Sequence, residues 1–366
     1  IIRNGKIYAK ELRPAEAKPS QPLFKKNGTY AIVGGTGGVG FLTAVHLAEK
    51  YSANVVLIGR SQFTKRQEEL LEKLRTFNTD PMYISANICS RESLETALEN
   101  IIEKYGHING IIHSALDLND KLLINTNYEE FSSGTDTKII GSINLCEIFG
   151  SAVSDFILFY SSIESYSSFA GQGSYITGCC FQDNYSEYLN RNSSMEVRTI
   201  NWGYWGETGI AHAQGLEEKF KLLGLLPVSN KEGIEALERF ISSGHQSLLS
   251  FRGEKKLLNM MNLIQVTDKN VDSSDNVDKV KDISIENIEK VVRESITNVI
   301  GIEESDYSFD DDIYDVGIDS INEFEMIVFI NEKLGISLQP TDIINCDTLN
   351  ELIDFISSTC FLKADI

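Results

Sequence analysis

The amino-acid sequence predicts an α/β fold, a doubly wound parallel sheet, followed by a small all-α unit. Three observations predict it. Short apolar runs alternate with amphipathic stretches from Thr29 to about residue 255. A polar segment rich in Asp, Asn and Ser, residues 265–281, then breaks the rhythm. Beyond it the hydrophobic spacing is helical throughout.

Residues 1–28 read as a short strand, Lys6–Ala9, and a Pro/Lys-rich connector. Tyr30–Val33, Asn54–Ile58, Gly110–His113, Asp155–Tyr160 and Val197–Asn201 are apolar enough to be parallel strands buried on both faces. Val39–Tyr51 and Arg91–Tyr105 are two of the helices expected between them. Residues 265–281 read as a flexible linker. After it, Ile285, Ile288, Val292 and Val299 mark one amphipathic helix, with Ser284 as its cap. Ile321, Phe324, Ile327 and Val328 mark a second; Leu349, Leu352, Ile353 and Ile356, behind Thr348, mark a third. A bundle of this size can fold alone. The domain reading is 1–28, 29–264, 265–281 and 282–366.

Composition narrows the function classes. The chain has 366 residues and a formal net charge of −20. Such acidity disfavours phosphate backbones and anionic membranes, so no nucleic acid partner is expected. No apolar stretch is long enough for a membrane span. Cys89, Cys146, Cys179, Cys180, Cys346 and Cys360 form no CxxC pair. Neither a zinc site nor a disulfide framework is expected, and a reducing cytoplasm fits. The start, Ile1-Ile2-Arg3-Asn4-Gly5, lacks Met and a signal-peptide pattern, so the expectation is a segment of a longer polypeptide.

Val33-Gly34-Gly35-Thr36-Gly37-Gly38-Val39-Gly40 closes the first buried strand and opens a helix. Glycines allow a tight turn and close approach to a pyrophosphate, and the helix N-terminus supplies unpaired N–H groups. The second strand runs into Gly59-Arg60-Ser61. Where an acid would bind ribose hydroxyls, a guanidinium beside a hydroxyl suits a 2′-phosphate, which favours NADPH over NADH.

The glycine pattern Gly34, Gly38, Gly40 resembles that of short-chain dehydrogenases/reductases. With Arg60-Ser61, Ile112-His113-Ser114-Ala115, Lys138, Phe159-Tyr160-Ser161-Ser162, Gly171-Gln172-Gly173-Ser174-Tyr175 and Asn201-Trp202-Gly203-Tyr204-Trp205-Gly206, it resembles more closely the ketoreductase domain of modular polyketide synthases. The resemblance runs from about residue 1 to about residue 255. It implies a Rossmann sheet, and makes 1–28 the end of an upstream structural subdomain. It extends the cofactor site to Asn87, Ile88, Ser114 and Ala115.

Ketone reduction needs a hydride donor, a proton donor and dipoles that hold the oxygen. The resemblance assigns the proton to Tyr175 and the carbonyl hydrogen bond to Ser162. Lys138 falls beside the tyrosine and the cofactor ribose, where its charge is expected to lower the Tyr175 pKa. Two positions depart from the family. Cys179 stands where a Lys or Asn is usual, four residues after the tyrosine, and Leu116 replaces a glycine. Leu118-Asn119-Asp120 resembles the fingerprint for a D-configured hydroxyl, with Asp120 as the stereocontrolling acid; the Trp of the opposite class would fall at Ser167. Asn201–Thr208 is expected at the nicotinamide end. Gly209–Leu226 is expected as a lid helix, with Leu216, Phe220 and Leu223 on its apolar face.

Asp315-Val316-Gly317-Ile318-Asp319-Ser320-Ile321 resembles the acyl carrier motif, which makes Ser320 the attachment point for 4′-phosphopantetheine. The acids around it form an anionic face suited to basic partner enzymes. Implied partners are a ketoacyl thioester substrate, a phosphopantetheinyl transferase and other synthase domains, ketosynthase and acyltransferase among them. Two alternatives stay open. The reductase half is a silent scaffold beside a working carrier, or the chain is a terminal thioester reductase. The second lacks the Tyr-x-x-x-Lys motif and reverses the usual domain order.

Overall fold

The computed structural model describes residues 2–3, 6–7, 12–13, 15, 23–118, 121, 123–166, 171–213, 220, 224–255, 257, 284–318, 322–336, 338, 342–343 and 346–361. Segment 265–281, Asn119, Asp120, Ser167, Leu216, Leu223 and Ser320 lie outside the described residues. The chain divides into two compact units, Ile1–Ile264 and Gln265–Ile366.

The first unit opens on a ribbon. Strands β1 (Ile2–Arg3) and β2 (Lys6–Ile7) pair antiparallel, Ile2 opposite Ile7. Of the strand expected over Lys6–Ala9, Lys6–Ile7 is described and pairs with β1, while Tyr8 and Ala9 lie outside the described residues. The main strands are β3 (Thr29–Val33), β4 (Asn54–Gly59), β5 (Met82–Ser85), β6 (Ile108–His113), β7 (Val153–Ser162) and β8 (Val197–Trp202). After the two-residue β9 (Leu225–Leu226), β10 (Ser247–Ser250) completes a seven-stranded sheet, and β11 (Arg252–Gly253) pairs with β9. The sheet order is β10-β8-β7-β6-β3-β4-β5, parallel throughout. Strands β5 and β10 carry half-exposed residues at the two edges, so neither shows the unbroken apolar run of an inner strand.

Helices α1 (Gly38–Tyr51), α2 (Lys65–Arg75), α3 (Arg91–Tyr105), α4 (Tyr128–Asp136), α5 (Ile139–Phe149), α6 (Gly173–Asn192), the short α7 (Ile210–Ala213) and α8 (Asn230–Ser242) connect the strands. Two apolar layers result. One joins α1, α2 and α8 to the sheet through Leu47, Leu71 and Phe240. The other joins α3 and α5 through Leu94, Ile101 and Phe149. The chain leaves β3 toward β4 and β5, then crosses to β6 on its other side. That reversal opens a crevice beyond the strand ends, where parallel sheets bind ligands.

Two buried polar side chains brace this unit. Arg198 on β8 donates from Nη1 to the carbonyls of Phe240, Ile241 and Ser243 at 2.9–3.1 Å, satisfying the end of α8. His113, fully buried at the end of β6, donates from Nε2 to the Thr137 carbonyl at 3.0 Å. Burial, aided by the Lys138 charge, brings its pKa down to about 3 from 6.5. Below pH 6.5 the unfolded chain therefore takes up a proton that the folded chain refuses. Stability should fall by about 1.4 kcal/mol per pH unit in that range, or about 2 kcal/mol by pH 5. His113→Gln should remove that loss from the difference between urea midpoints at pH 7 and pH 5. Trp202 and Trp205, the chain's two tryptophans, report it by fluorescence from the first unit. An unchanged pH slope would refute the assignment.

The second unit holds α9 (Ile285–Val299), α10 (Asn322–Leu334) and α11 (Leu349–Phe361), with a 3₁₀ turn at Glu304–Asp306. Ser284 caps α9 by accepting from the Asn287 N–H, and the Glu351 N–H donates to Thr348 Oγ1 at 3.3 Å before α11. Ile288, Val292, Ile327, Leu349, Leu352, Ile353 and Ile356 meet in one core, as their spacing predicts. Ile285 does not join them; at the first helical position it stays exposed.

Candidate active site

The C-terminal ends of the inner strands open into a cavity of about 440 Å³. Its wall begins at the glycine turn. The chain leaves β3 through Gly34, at φ +79°. A Cβ on Gly34 would stand 2.6 Å from the Ala115 nitrogen, one on Gly38 2.5 Å from the Gly209 nitrogen, and one on Gly40 2.5 Å from the Gly34 oxygen. Glycine at these positions lets three backbone segments close together. Gly37, the cap of α1, offers no side-chain hydrogen bond. The first N–H groups of α1 lack intrahelical acceptors, and Gly38, Val39 and Gly40 line the cavity. A concave, side-chain-free cradle at a helix N-terminus fits a pyrophosphate.

Beside the turn lie Thr36, Arg60, Ser61, Ile88, Ser114 and Ala115, all on the cavity wall. The Tyr83 hydroxyl donates to the Ser61 carbonyl at 2.5 Å, propping the turn after β4. Arg60 Nη1 reaches Asp117 Oδ2 at 2.8 Å, a partner that sequence reasoning did not find. Gly35 and Asn87 stand back from the wall. Gly35 donates its N–H to the Ile32 carbonyl, and Asn87 accepts the Cys89 N–H. Leu116, at the family's glycine position, lines the cavity.

The other end carries Ser162, the last residue of β7, and Tyr175, in the first turn of α6. Gly171, at φ +84°, lets the chain turn back between them. The Tyr175 phenol lies within electrostatic reach of the Ser162 hydroxyl and the Cys179 thiol. The Glu164 N–H donates to Ser162 Oγ at 3.2 Å, which leaves the serine hydrogen to be given away. Beneath, Asn201 Nδ2 lies 2.9–3.1 Å from Ser161 Oγ, the Ser162 carbonyl, Ser165 Oγ and both Asp183 oxygens.

Lys138 precedes α5 and is 1% exposed. Its ammonium donates to the Tyr160 carbonyl and to Gln182 Oε1, each at 2.9 Å, and sits 5.4 Å from the Tyr175 ring centroid. Gly178 makes room, since a Cβ there would be 2.9 Å from that of Lys138. Gln182 and Gly178 were missed from sequence; spacing of one and two helical turns after Tyr175 was the available signal. The expected lowering of the Tyr175 pKa is not what the structure shows. Burial raises that phenol well above 10, and Cys179 raises it further. The lysine is anchored to a backbone carbonyl and an amide, and its field falls on Cys179 and His113. Burial also lifts the Cys179 thiol to about 11, so it stays protonated at neutral pH.

Asp120, assigned to stereocontrol, and Ser320, assigned to phosphopantetheine, lie outside the described residues. Residues 214–219 and 221–223 of the expected lid helix lie outside the described residues; Phe220 between them is helical, and Leu225–Leu226 at its end is a strand. The described residues of 209–226 are Gly209, α7, Phe220, Gly224 and β9. Phe220 packs on Tyr204 with ring centroids 4.7 Å apart and lines the cavity. Among the described residues no helix is long and apolar enough to cross a membrane.

Comparison with known proteins agrees with this arrangement. Residues 28–207 match the KR domain family, and residues 290–356 match the phosphopantetheine attachment site family. Polyketide synthases PksM and PksN of Bacillus subtilis (strain 168) are 32% identical over 241 residues and 31% over 251. These stretches are 66% and 68% of this chain, but 6% and 5% of those proteins, so the chain spans a small fraction of its relatives' length. Among solved structures, a ketoreductase domain from the bacillaene assembly line aligns with a TM-score of 0.65 and 27% identity, covering 72% of this chain and 64% of that one. An N-terminal ketoreductase from the macrolactin assembly line aligns at 0.58 and 26%, covering 65% and 47%.

Proposed function

Residues 28–207 belong to the ketoreductase domains of polyketide synthases and residues 290–356 to the phosphopantetheine-attachment domains, and from that premise we propose that the chain reduces a carrier-bound ketoacyl thioester to a hydroxyacyl thioester with NADPH. The observation that carries this reading is that Tyr175 and Ser162 line the same cavity as the glycine cradle. Gly34–Gly40, Arg60, Ser61, Ser114 and Ala115 would hold the cofactor, with Asn87 and Ile88 nearby. When bound, the cofactor supplies the hydride. Ser162 donates to the ketone oxygen and orients it. Tyr175 donates to the same oxygen and gives up its proton as negative charge develops there. Lys138 spends two of its three donors on Tyr160 and Gln182, and the third would be the one left for the cofactor ribose.

The domains of this reading are 1–28 (end of a structural subdomain), 29–264 (reductase), 265–281 (linker) and 282–366 (carrier). Ser320 carries the chain on its 4′-phosphopantetheine, tethering raises the local substrate concentration, and Asp120 directs the D-configured product. A phosphopantetheinyl transferase, ketosynthase and acyltransferase are the proposed partners.

The test uses the full chain. It is converted to the holo form with coenzyme A and a phosphopantetheinyl transferase, loaded with a β-ketoacyl group, and given NADPH. Intact-mass spectrometry should show the loaded arm gaining one hydride and one proton, and Ser320→Ala should take up no arm. A loaded arm that gains nothing would leave the carrier working beside a silent reductase.

A further inference from the structure

Selectivity between the two nicotinamide cofactors rests on groups around the ribose 2′ position. Arg60, the cation there, is already engaged. Its Nη1 contacts Asp117 Oδ2 at 2.8 Å, with side chains 63% and 32% exposed. The pair joins the turn after β4 to the loop after β6. That loop is held against Gly34, where a Cβ would strike Ala115 and Ser114. Asp117 lies in that loop between Leu116 and Leu118, both of which line the cavity.

A second observation concerns the charge of this end. The Cys89 thiol, two residues beyond Asn87, is raised by burial; Asp136 and Asp117 raise it further and Arg60 lowers it. Two carboxylates and one guanidinium thus lie within electrostatic range of that thiol. A phosphate monoester brings close to two further negative charges at pH 7. It must share Arg60 with Asp117 and sit beside that carboxylate. A cofactor without the phosphate meets neither cost.

We propose that Asp117 sets the cofactor selectivity of this site: its carboxylate competes with the ribose 2′-phosphate of NADPH for Arg60, holding the preference over NADH below what Arg60 alone confers. This rests on the dinucleotide reading of the cavity. An exposed, single-contact pair is worth little by itself; the effect comes from returning the full charge of Arg60 to the phosphate.

The test is equilibrium binding to the full chain, followed by nicotinamide fluorescence, with NADPH and NADH as separate probes. Asp117→Asn should tighten NADPH about tenfold and leave NADH within about twofold. The gain should shrink at 1 M salt, where screening acts over about 3 Å. In an Arg60→Ala background the Asp117→Asn gain should largely vanish, as coupled groups require. Weaker NADPH binding in Asp117→Asn would mean that the carboxylate preorganises Arg60, and would overturn the proposal. So would equal tightening of both cofactors, or an unchanged ratio. If the parent chain binds neither cofactor, the dinucleotide reading fails and takes this proposal with it. If it binds NADPH and the ratio does not move, only the selectivity role of Asp117 fails.

Discussion

Replacing Tyr175 with Phe should lower kcat for ketoacyl thioester reduction about a thousandfold, within the range expected for loss of a general acid. NADPH affinity should stay within about twofold. The substitution keeps the ring, and so the packing over the Lys138 ammonium at 5.4 Å. It removes the hydroxyl that faces Ser162 and Cys179. The Ser161 hydroxyl still donates to the Cys179 carbonyl at 3.4 Å, so the interior behind the site retains its polar connection. Because burial holds the phenol pKa well above 10, Tyr175 remains protonated from pH 6 to 9 and contributes no inflection to kcat there. Single-turnover reduction with saturating NADPH measures the chemical step. A kcat within tenfold of the parent would show that the proton comes from elsewhere.

The second large effect belongs to the glycine turn. Gly34→Ala should weaken NADPH binding at least a hundredfold and lower the midpoint of tryptophan-monitored thermal unfolding. Two costs combine. A left-handed backbone at φ +79° costs an L-residue about 1 kcal/mol. The added Cβ also lies 2.6–2.8 Å from backbone atoms of Ala115 and Ser114, which yield only if the end of β6 moves. Gly106→Ala is the matched control. Its φ is +75°, yet nothing lies within 4 Å of the added carbon. It should show the conformational cost alone, about 1 kcal/mol, with NADPH affinity unchanged. If the two variants bind NADPH equally well, the close approach of the β6 loop does not shape the cofactor site.

Sequence legibility followed the range of the forces involved. Inner strands β3, β4, β6, β7 and β8 are buried on both faces, so their apolar runs stood out. Edge strands β5 and β10, half-exposed, did not. The cradle was legible because its backbone conformation and its helix start are local. The family pattern placed Ser162 and Tyr175 together, but the electrostatics around them depend on distant residues. Gln182 and the Tyr160 carbonyl decide where the Lys138 ammonium points. The Arg60–Asp117 pair spans 57 positions and leaves no periodic trace. Cys179, noted as an unusual neighbour, is a buried thiol that touches the phenol.

The guanidinium of Arg198 ties the order of synthesis to the order of assembly. It sits on β8, while its acceptors are the last carbonyls of α8, made some forty residues later. Glu196 also accepts, from its Nε at 2.9 Å, but until Ser243 has left the ribosome β8 can dock only with the Nη1 group unsatisfied, at a cost of about 1–3 kcal/mol. The final third of the reductase unit is thereby pushed to assemble in one event. Any excised version that stops short of Ser243 should be recovered as insoluble material.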